Sequence, residues 1–409
     1  MHLAPSHGSC LAALRSPSAP SATPRRQRTP PRVATRAAGL CALVVGGTGR
    51  VGGSSTRWLK KLAKENQMEL ELSVGGRRRE NYESFKERWT EGADVPNFVE
   101  IDHSNEASIN RALTMKPWNL ILHTAGPFQR VKEPRILKEA LRLRLPYVDV
   151  CDDTDLCKVA KCLAESAASD GVPAVVSAGI WPGVSALMAC EAHERLGDIE
   201  DLTMSFYTSG TGGAGPTIVS ATFLLLAEPP LNYKDGHAVR AEAWGNRRKV
   251  DFGAGVGEQP VHLLDEPEVY TCHEHLQIPN VSSSFGTAPD IWNWMFAACA
   301  KALPAEILAN RSLMQNVAVF SMPIITAVDR LVGSKNAMRI DARSRSGEEV
   351  TLRVTHEDLE DCVGLATAAF SLEVLEGHVA PGVWFPVEMA ANRAKIFERV
   401  KHGSVFWDM

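Results

Sequence analysis

From about residue 40 to residue 180, short apolar runs alternate with segments whose apolar residues recur every three or four positions. CALVVGG (Cys41 to Gly47) predicts a first strand, buried on both faces. Trp58, Leu59, Leu62 and Ala63 predict a helix after it. Leu70, Leu72 and Val74 alternate with polar residues as a second strand. Phe98–Asp102, Asn119–Phe128, Pro146–Asp153 and Val172–Ile180 predict strands three to six, with helical segments between them. Such alternation argues for an α/β fold with a parallel, doubly wound sheet.

From about Asp201 the pattern changes. LTMSFYTSG, VHLLD, EVYTC and AMRIDARS predict strands of an antiparallel or mixed sheet. FGTAPDIWNWMF (Phe285 to Phe296) predicts a helix beginning at Pro289. DCVGLATAAFSLEVLEG (Asp361 to Gly377) predicts a long apolar helix closed by its glycine. A chain of 409 residues with this change of pattern is expected to form two domains.

Composition narrows the class. Apolar residues make up 44% and charged residues 22%, ordinary values for a globular chain. The formal net charge of -4 gives no reason to expect a nucleic-acid partner. No apolar run approaches the roughly 18 residues of a membrane-spanning helix. The nine cysteines are scattered without a CxxC pair, which predicts free thiols rather than a metal or redox site. His273 and His275 would share a face on a strand, but no further ligands lie nearby in sequence, so no metal is expected.

Residues 1–38 differ from all that follow. They are rich in Ser, Ala, Pro and Arg, and the first acidic residue of the chain is Glu65. This composition, without a long apolar core, is that of an organellar transit peptide. Its prolines break any long amphipathic helix, which favours a chloroplast over a mitochondrion. The expected location is the plastid stroma.

The candidate chemistry starts at the first turn. Gly47-Thr48-Gly49-Arg50-Val51-Gly52 matches G-x-G-x-x-G, with Gly46 before it, between a predicted strand and a predicted helix. In that position the glycines allow a tight turn, close approach of a pyrophosphate and close packing of the helix. The helix start offers N–H groups and a positive dipole end to the phosphates. The pattern is that of a Rossmann dinucleotide site. An NAD site usually has an acid at the end of the second strand, for the ribose hydroxyl. Here Gly75-Gly76-Arg77-Arg78-Arg79 stands in its place. A guanidinium pairs with a 2′-phosphate that an acid would repel, so the expected cofactor is NADP(H). Tyr82 and Lys86 form a Y-x-x-x-K pair at the adenosine end, far from any nicotinamide, and are read as coincidence.

Further along, Trp181-Pro182-Gly183-Val184 opens a helix whose start can hold an anion. GTGGAGPT (Gly210 to Thr217) is a second glycine-rich loop, able to cradle a substrate carboxylate. Asp152 and Asp153, after the fifth strand, are candidates for accepting an amine proton. Tyr207, beside the second glycine loop, is a third relay candidate.

LVVGGTGRVGGSS, VGGRRRE, HTAGPFQ, YVDVCDDT, AGIWPGVSALMA, GTGGAGPT, FGTAPDIWNW and PGVWFP occur in this order. Together they resemble the saccharopine dehydrogenase-like oxidoreductases of plant and algal plastids, over essentially everything after residue 38. The resemblance implies a Rossmann domain over 39–195 that is completed by 358–409. A mixed α/β domain over 196–357, for substrate and dimerisation, is inserted between. It implies hydride transfer between a nicotinamide cofactor and the imine carbon of a secondary amine. By motif, Gly47, Gly49 and Gly52 would hold the pyrophosphate, with Thr48, Arg50 and Val51 in the same loop. Arg77 with Arg78 would hold the 2′-phosphate, Asp102 would border the adenosine, and Ala125 and Gly126 would line the nicotinamide ribose. The substrate is expected to be small, amino-acid-like and carboxylate-bearing, and the assembly a homodimer. The arginine that clamps substrate carboxylates in true saccharopine reductases has no recognisable counterpart; Arg130, Arg247, Arg248 and Arg339 are the candidates.

Two rival functions stand beside this one. One is a non-catalytic NADP(H)-binding redox sensor or assembly protein of the plastid, suggested by the lack of a strong catalytic constellation. The other is an atypical short-chain reductase of the isoflavone reductase kind. The size of the region after the sixth strand argues against it.

Overall fold

The computed structural model describes residues 39–126, 128–210 and 215–409. The segment read as a transit peptide, Pro127 and residues 211–214 of the second glycine-rich loop lie outside the described residues. Residues 39–409 form one compact unit.

Strands β1 (Leu40–Val45), β2 (Leu70–Gly76), β3 (Asn97–Glu100), β4 (Leu120–His123), β5 (Tyr147–Asp149) and β6 (Pro173–Val175) alternate with helices. Then follow β7 (Ile199–Ser209), the hairpin β8 (Leu231–Lys234) and β9 (His237–Arg240), β10 (Arg248–Asp251), β11 (Glu258–Leu263) and β12 (Asn280–Ala288). The chain continues through β13 (Lys335–Ser344), β14 (Glu349–His356), β15 (Gly382–Trp384) and β16 (Ser404–Asp408). The first sheet has the order β15-β6-β5-β4-β1-β2-β3, parallel throughout. This is the doubly wound arrangement, with its order reversing between β1 and β4, where such sheets open a crevice at the carboxyl ends of their strands. The second sheet runs β10-β11-β12-β7-β13-β14-β16 and carries the β8–β9 hairpin on β12. Its β7 and β12 are parallel and its other pairs antiparallel.

The C-terminal segment serves both sheets. Helix Leu359–Leu375 lies against helix Arg50–Glu65. At their crossing a Cβ on Gly364 would stand 2.3 Å from Ser54 Oγ, so the approach requires glycine. The Trp58 indole donates to Asp361 Oδ1 at 2.8 Å. Downstream, β15 adds to the edge of the first sheet, whereas β16 pairs with β14 of the second.

Several predicted strands are longer than the observed ones. The apolar run of β5 continues through Val150 and that of β6 through Ile180, but both pass beyond the hydrogen-bonded ladder into loops. EVYTC is a correction. It forms helix Pro267–Leu276, with Pro267 at its first turn and Glu268 beside it. Its β-branched residues suggested a strand; tertiary context overrides that preference. His273 and His275, two positions apart on a helix, therefore project about 200° apart rather than from one face. One cluster of possible metal ligands appears among the described residues, Glu373, Glu376 and His378. Arg399 already bridges both of its carboxylates. The described residues hold no helix long and apolar enough to cross a membrane.

Candidate functional site

At the carboxyl ends of the first sheet lies a cavity of about 340 Å³. It runs from the glycine turn and the end of β2, past the ends of β4, β5 and β6, to the second sheet at Phe285. Its two ends are built differently.

The first end is mostly backbone. Gly46, rather than Gly47, takes the left-handed conformation of the turn, with φ of 84°. A side chain there would also strike the Ala125 amide, since a Cβ would lie 2.7 Å from its nitrogen. Gly47 faces the sheet instead, where a Cβ would lie 2.7 Å from Val74 Cγ1. Gly52 lets the helix approach the turn: a Cβ would stand 2.3 Å from the Gly46 oxygen. Gly49 caps helix Arg50–Glu65, whose start has no side-chain cap and no acid in its first turn. Thr48, Gly49, Arg50, Val51 and Gly52 all line the cavity. That combination of glycine turn and open helix start fits a pyrophosphate.

Arg77, Asn81, Ile101 and His103 line the same end. Arg77 makes no ion pair among the described residues, whereas Arg50 reaches Glu360 at 3.7 Å. Burial, reinforced by the Arg77 charge, pushes the His103 imidazole below its usual range. Arg78 lies just outside, exposed at the start of helix Arg79–Glu87. Asp102 does not line the cavity. It accepts from the Ser104 amide and hydroxyl, and these bonds hold its carboxyl below the usual range.

The middle is framed by strand ends. Ala125 and Gly126 follow β4 and line the cavity. Beneath them Asp149 ties the ends of β5 and β6 together: its carboxylate accepts from Tyr147 Oη at 2.9 Å, Cys151 N at 3.0 Å and Ser177 N at 2.9 Å. The His123 ring meets Tyr147 Oη at 2.9 Å. Burial raises Asp149 to about 6 and lowers His123 to about 3.

The far end is acidic and aromatic. Asp152 lines it, and its Oδ1 is buried with no hydrogen-bond partner. Burial raises its carboxyl to about 6. Opposite in the chain, Glu266 holds the N-cap position of helix Pro267–Leu276 without capping it. Its side chain lines the cavity instead, 2% exposed, with Oε2 unpartnered. Burial, and then the neighbouring Asp152 charge, push it well above the usual carboxylate range. Trp181 forms a wall. Its indole donates to Asn336 Oδ1 at 2.8 Å and its ring stacks on Phe206 at 5.0 Å.

The remaining candidates lie elsewhere. Asp153 caps helix Thr154–Lys161 through Leu156 N and also accepts from Arg130 N; it faces an adjacent groove. Tyr207 packs on Phe252 and Val250, in a small separate core. Side chains alternate along a strand. With Phe206 stacked on Trp181, Tyr207 points to the opposite face of the second sheet. The helix start at Gly183 does hold an anion, but it is the protein's own: Glu268 accepts from Gly183 N at 2.9 Å and from the Ser185 hydroxyl. Burial raises Glu268 to about 7.

Sequence reasoning missed Glu266, Phe285 and His103. Glu266 sits in DEPE, a run that reads as a solvated helix start. Its only local signal was an acid directly before a proline at a helix's first turn.

No family model matches the chain, and no curated protein matches it. Solved structures do. The apo form of saccharopine dehydrogenase (L-Glu forming) from Saccharomyces cerevisiae is 13% identical, with a TM-score of 0.58 over 89% of this chain and 97% of that one. A meso-dapdh mutant from Clostridium tetani, with DAP, is 11% identical, with a TM-score of 0.43 over 87% and 95% of the two chains. A myo-inositol dehydrogenase from Corynebacterium glutamicum is 11% identical, with a TM-score of 0.40 over 90% and 99%. At these identities the likeness to the yeast enzyme establishes a shared fold, and the other two carry no argument.

Proposed function

We propose that the chain is an NADP(H)-dependent oxidoreductase of the saccharopine dehydrogenase type, acting at a C–N or C=O carbon of a small substrate in the plastid. One observation carries the reading: a single cavity joins a glycine turn, an uncapped helix start and an unpaired Arg77 at one end to two buried carboxylates at the other. When bound, the dinucleotide supplies hydride exchange at its nicotinamide ring. Gly46 and Gly49 leave room for the pyrophosphate, and Arg77 neutralises the 2′-phosphate. Asp152 and Glu266 take up the proton that an ammonium nitrogen must shed before the carbon beside it can release hydride. Asp152, raised to about 6 by burial, is suited to this near neutral pH.

The test has two parts. Titration should find NADPH binding more tightly than NADH. A panel of amines, imines and carbonyl compounds should then include one that changes the 340 nm absorbance. Binding with no turnover across the panel would favour a sensor or assembly protein.

The proposal includes a homodimer. On helix Arg311–Val332, Leu313, Val317, Phe320, Ile324 and Leu331 are exposed at the three- and four-residue spacing of a helix-pairing seam, with Phe320 86% exposed. Sedimentation should find a dimer that Phe320→Glu dissociates.

A further inference from the structure

We infer that the far end of the cavity selects an amine whose remaining bulk is apolar, and rejects carboxylates. This rests on the oxidoreductase reading above and narrows its substrate class away from amino acids.

The charges are segregated along the cavity. Among the described lining residues the basic groups are Arg50, Arg77 and His103. All three come from the glycine turn, the end of β2 and the loop after β3, so they belong to the adenosine end. Among the described lining residues the charged groups of the far end are the acids Asp152 and Glu266, between Ile180, Trp181, Leu264 and Phe285.

The four arginines that the sequence offers as carboxylate clamps are engaged elsewhere and do not line the cavity. Arg130 pairs with Glu228, Arg247 with Asp290, and Arg339 with Asp341. Arg248 donates to the hydroxyls of Ser205 and Ser284, on β7 and β12. A carboxylate entering this end would meet two acids and, among the described lining residues, no cation.

Each acid has one oxygen without a donor. Asp152 Oδ1 and Glu266 Oε2 are both buried without partners. Leaving such acceptors unsatisfied is unfavourable, and more so when they are charged. An ammonium brings three N–H donors and the opposite charge. The Trp181 ring, fixed by Asn336 and Phe206, adds a wall that suits both apolar groups and cations.

The test is equilibrium binding to the full chain, followed by tryptophan fluorescence. The probes are benzylamine, benzyl alcohol, benzoate and glutarate, each with and without saturating NADP+. Benzylamine is expected to bind at least tenfold more tightly than any other probe. Glu266→Gln should remove that advantage while leaving benzyl alcohol unchanged. Asp152→Asn, with melting curves to confirm folding, is the second variant. Equal or tighter binding of benzoate or glutarate overturns the inference, as does a benzylamine preference that survives both substitutions. Because the probes are also titrated without cofactor, a failure to bind NADP+ is read separately and counts against the oxidoreductase reading alone.

Discussion

The two ends of one cavity are made from different materials. At the end built around the glycine turn the groups on offer are largely peptide amides, presented by residues adjacent in the chain, with Arg50, Arg77 and His103 beside them. At the far end they are side chains from β5's loop, β6's loop and the second sheet, brought together from positions as distant as Asp152 and Phe285. A local motif can announce the first kind of site. The second kind exists only after the sheets have packed, and its electrostatics come from burial rather than from residue type.

The sharpest way to break this contrast is to neutralise the far end alone. Asp152→Asn is expected to lower turnover about 100-fold or more, the usual scale for a lost acid–base group. NADPH affinity, titrated by fluorescence, should stay within about twofold. A parallel loss of cofactor affinity would show that the two ends are not separable.

The converse substitution comes next. Arg77→Ala should weaken NADPH about 10- to 100-fold, in line with loss of one or two charge-assisted bonds to phosphate. NADH affinity should barely change. An equal effect on both coenzymes would remove the arginine from the 2′-phosphate.

A smaller, structural effect sharpens the backbone side of the comparison. Gly52→Ala forces a methyl group against the Gly46 oxygen. It should destabilise by about 1–3 kcal/mol, as overpacked positions do, and the melting midpoint should fall. An unchanged midpoint would show that the turn can yield.

The mildest prediction concerns Glu268, which burial raises to about 7. A carboxyl whose folded value lies above its unfolded one binds more protons in the native state. Its ionisation therefore removes stability as pH rises from about 4.5 to about 7. Gln keeps the acceptor oxygen for Gly183 and Ser185 but cannot ionise. Glu268→Gln should melt close to the unaltered protein near pH 5 and above it by a few degrees near pH 8. A gap that does not widen with pH would contradict the raised value.

What the sequence revealed follows the same division. The strand–turn–helix at Cys41 to Ala63 was legible because every constraint is local: strand pattern, glycine spacing and helix period. Even there the residue in the left-handed turn is Gly46, one position before the motif as it was aligned. The helix at Leu359–Leu375 was legible from its apolar run and from Gly377, whose φ is 75°. The segment Pro267–Leu276 was not, because its strand-like residues outweighed a proline and an acid at its start. Tyr207 stands beside a glycine-rich loop in the sequence, which says nothing of the face it takes. Whether a strand residue faces a cavity depends on which face of the sheet is covered, and that is decided by Trp181 on Phe206.

The late placement of β15 and β16 has a consequence for synthesis. A nascent chain whose residues from Gly382 onward are still inside the ribosomal tunnel has an unpaired edge on each sheet, at β6 and at β14. Strand edges left without a partner are open to pairing with other polypeptides. Covering β6 with β15 and β14 with β16 therefore ties the completion of both sheets to one short stretch of chain.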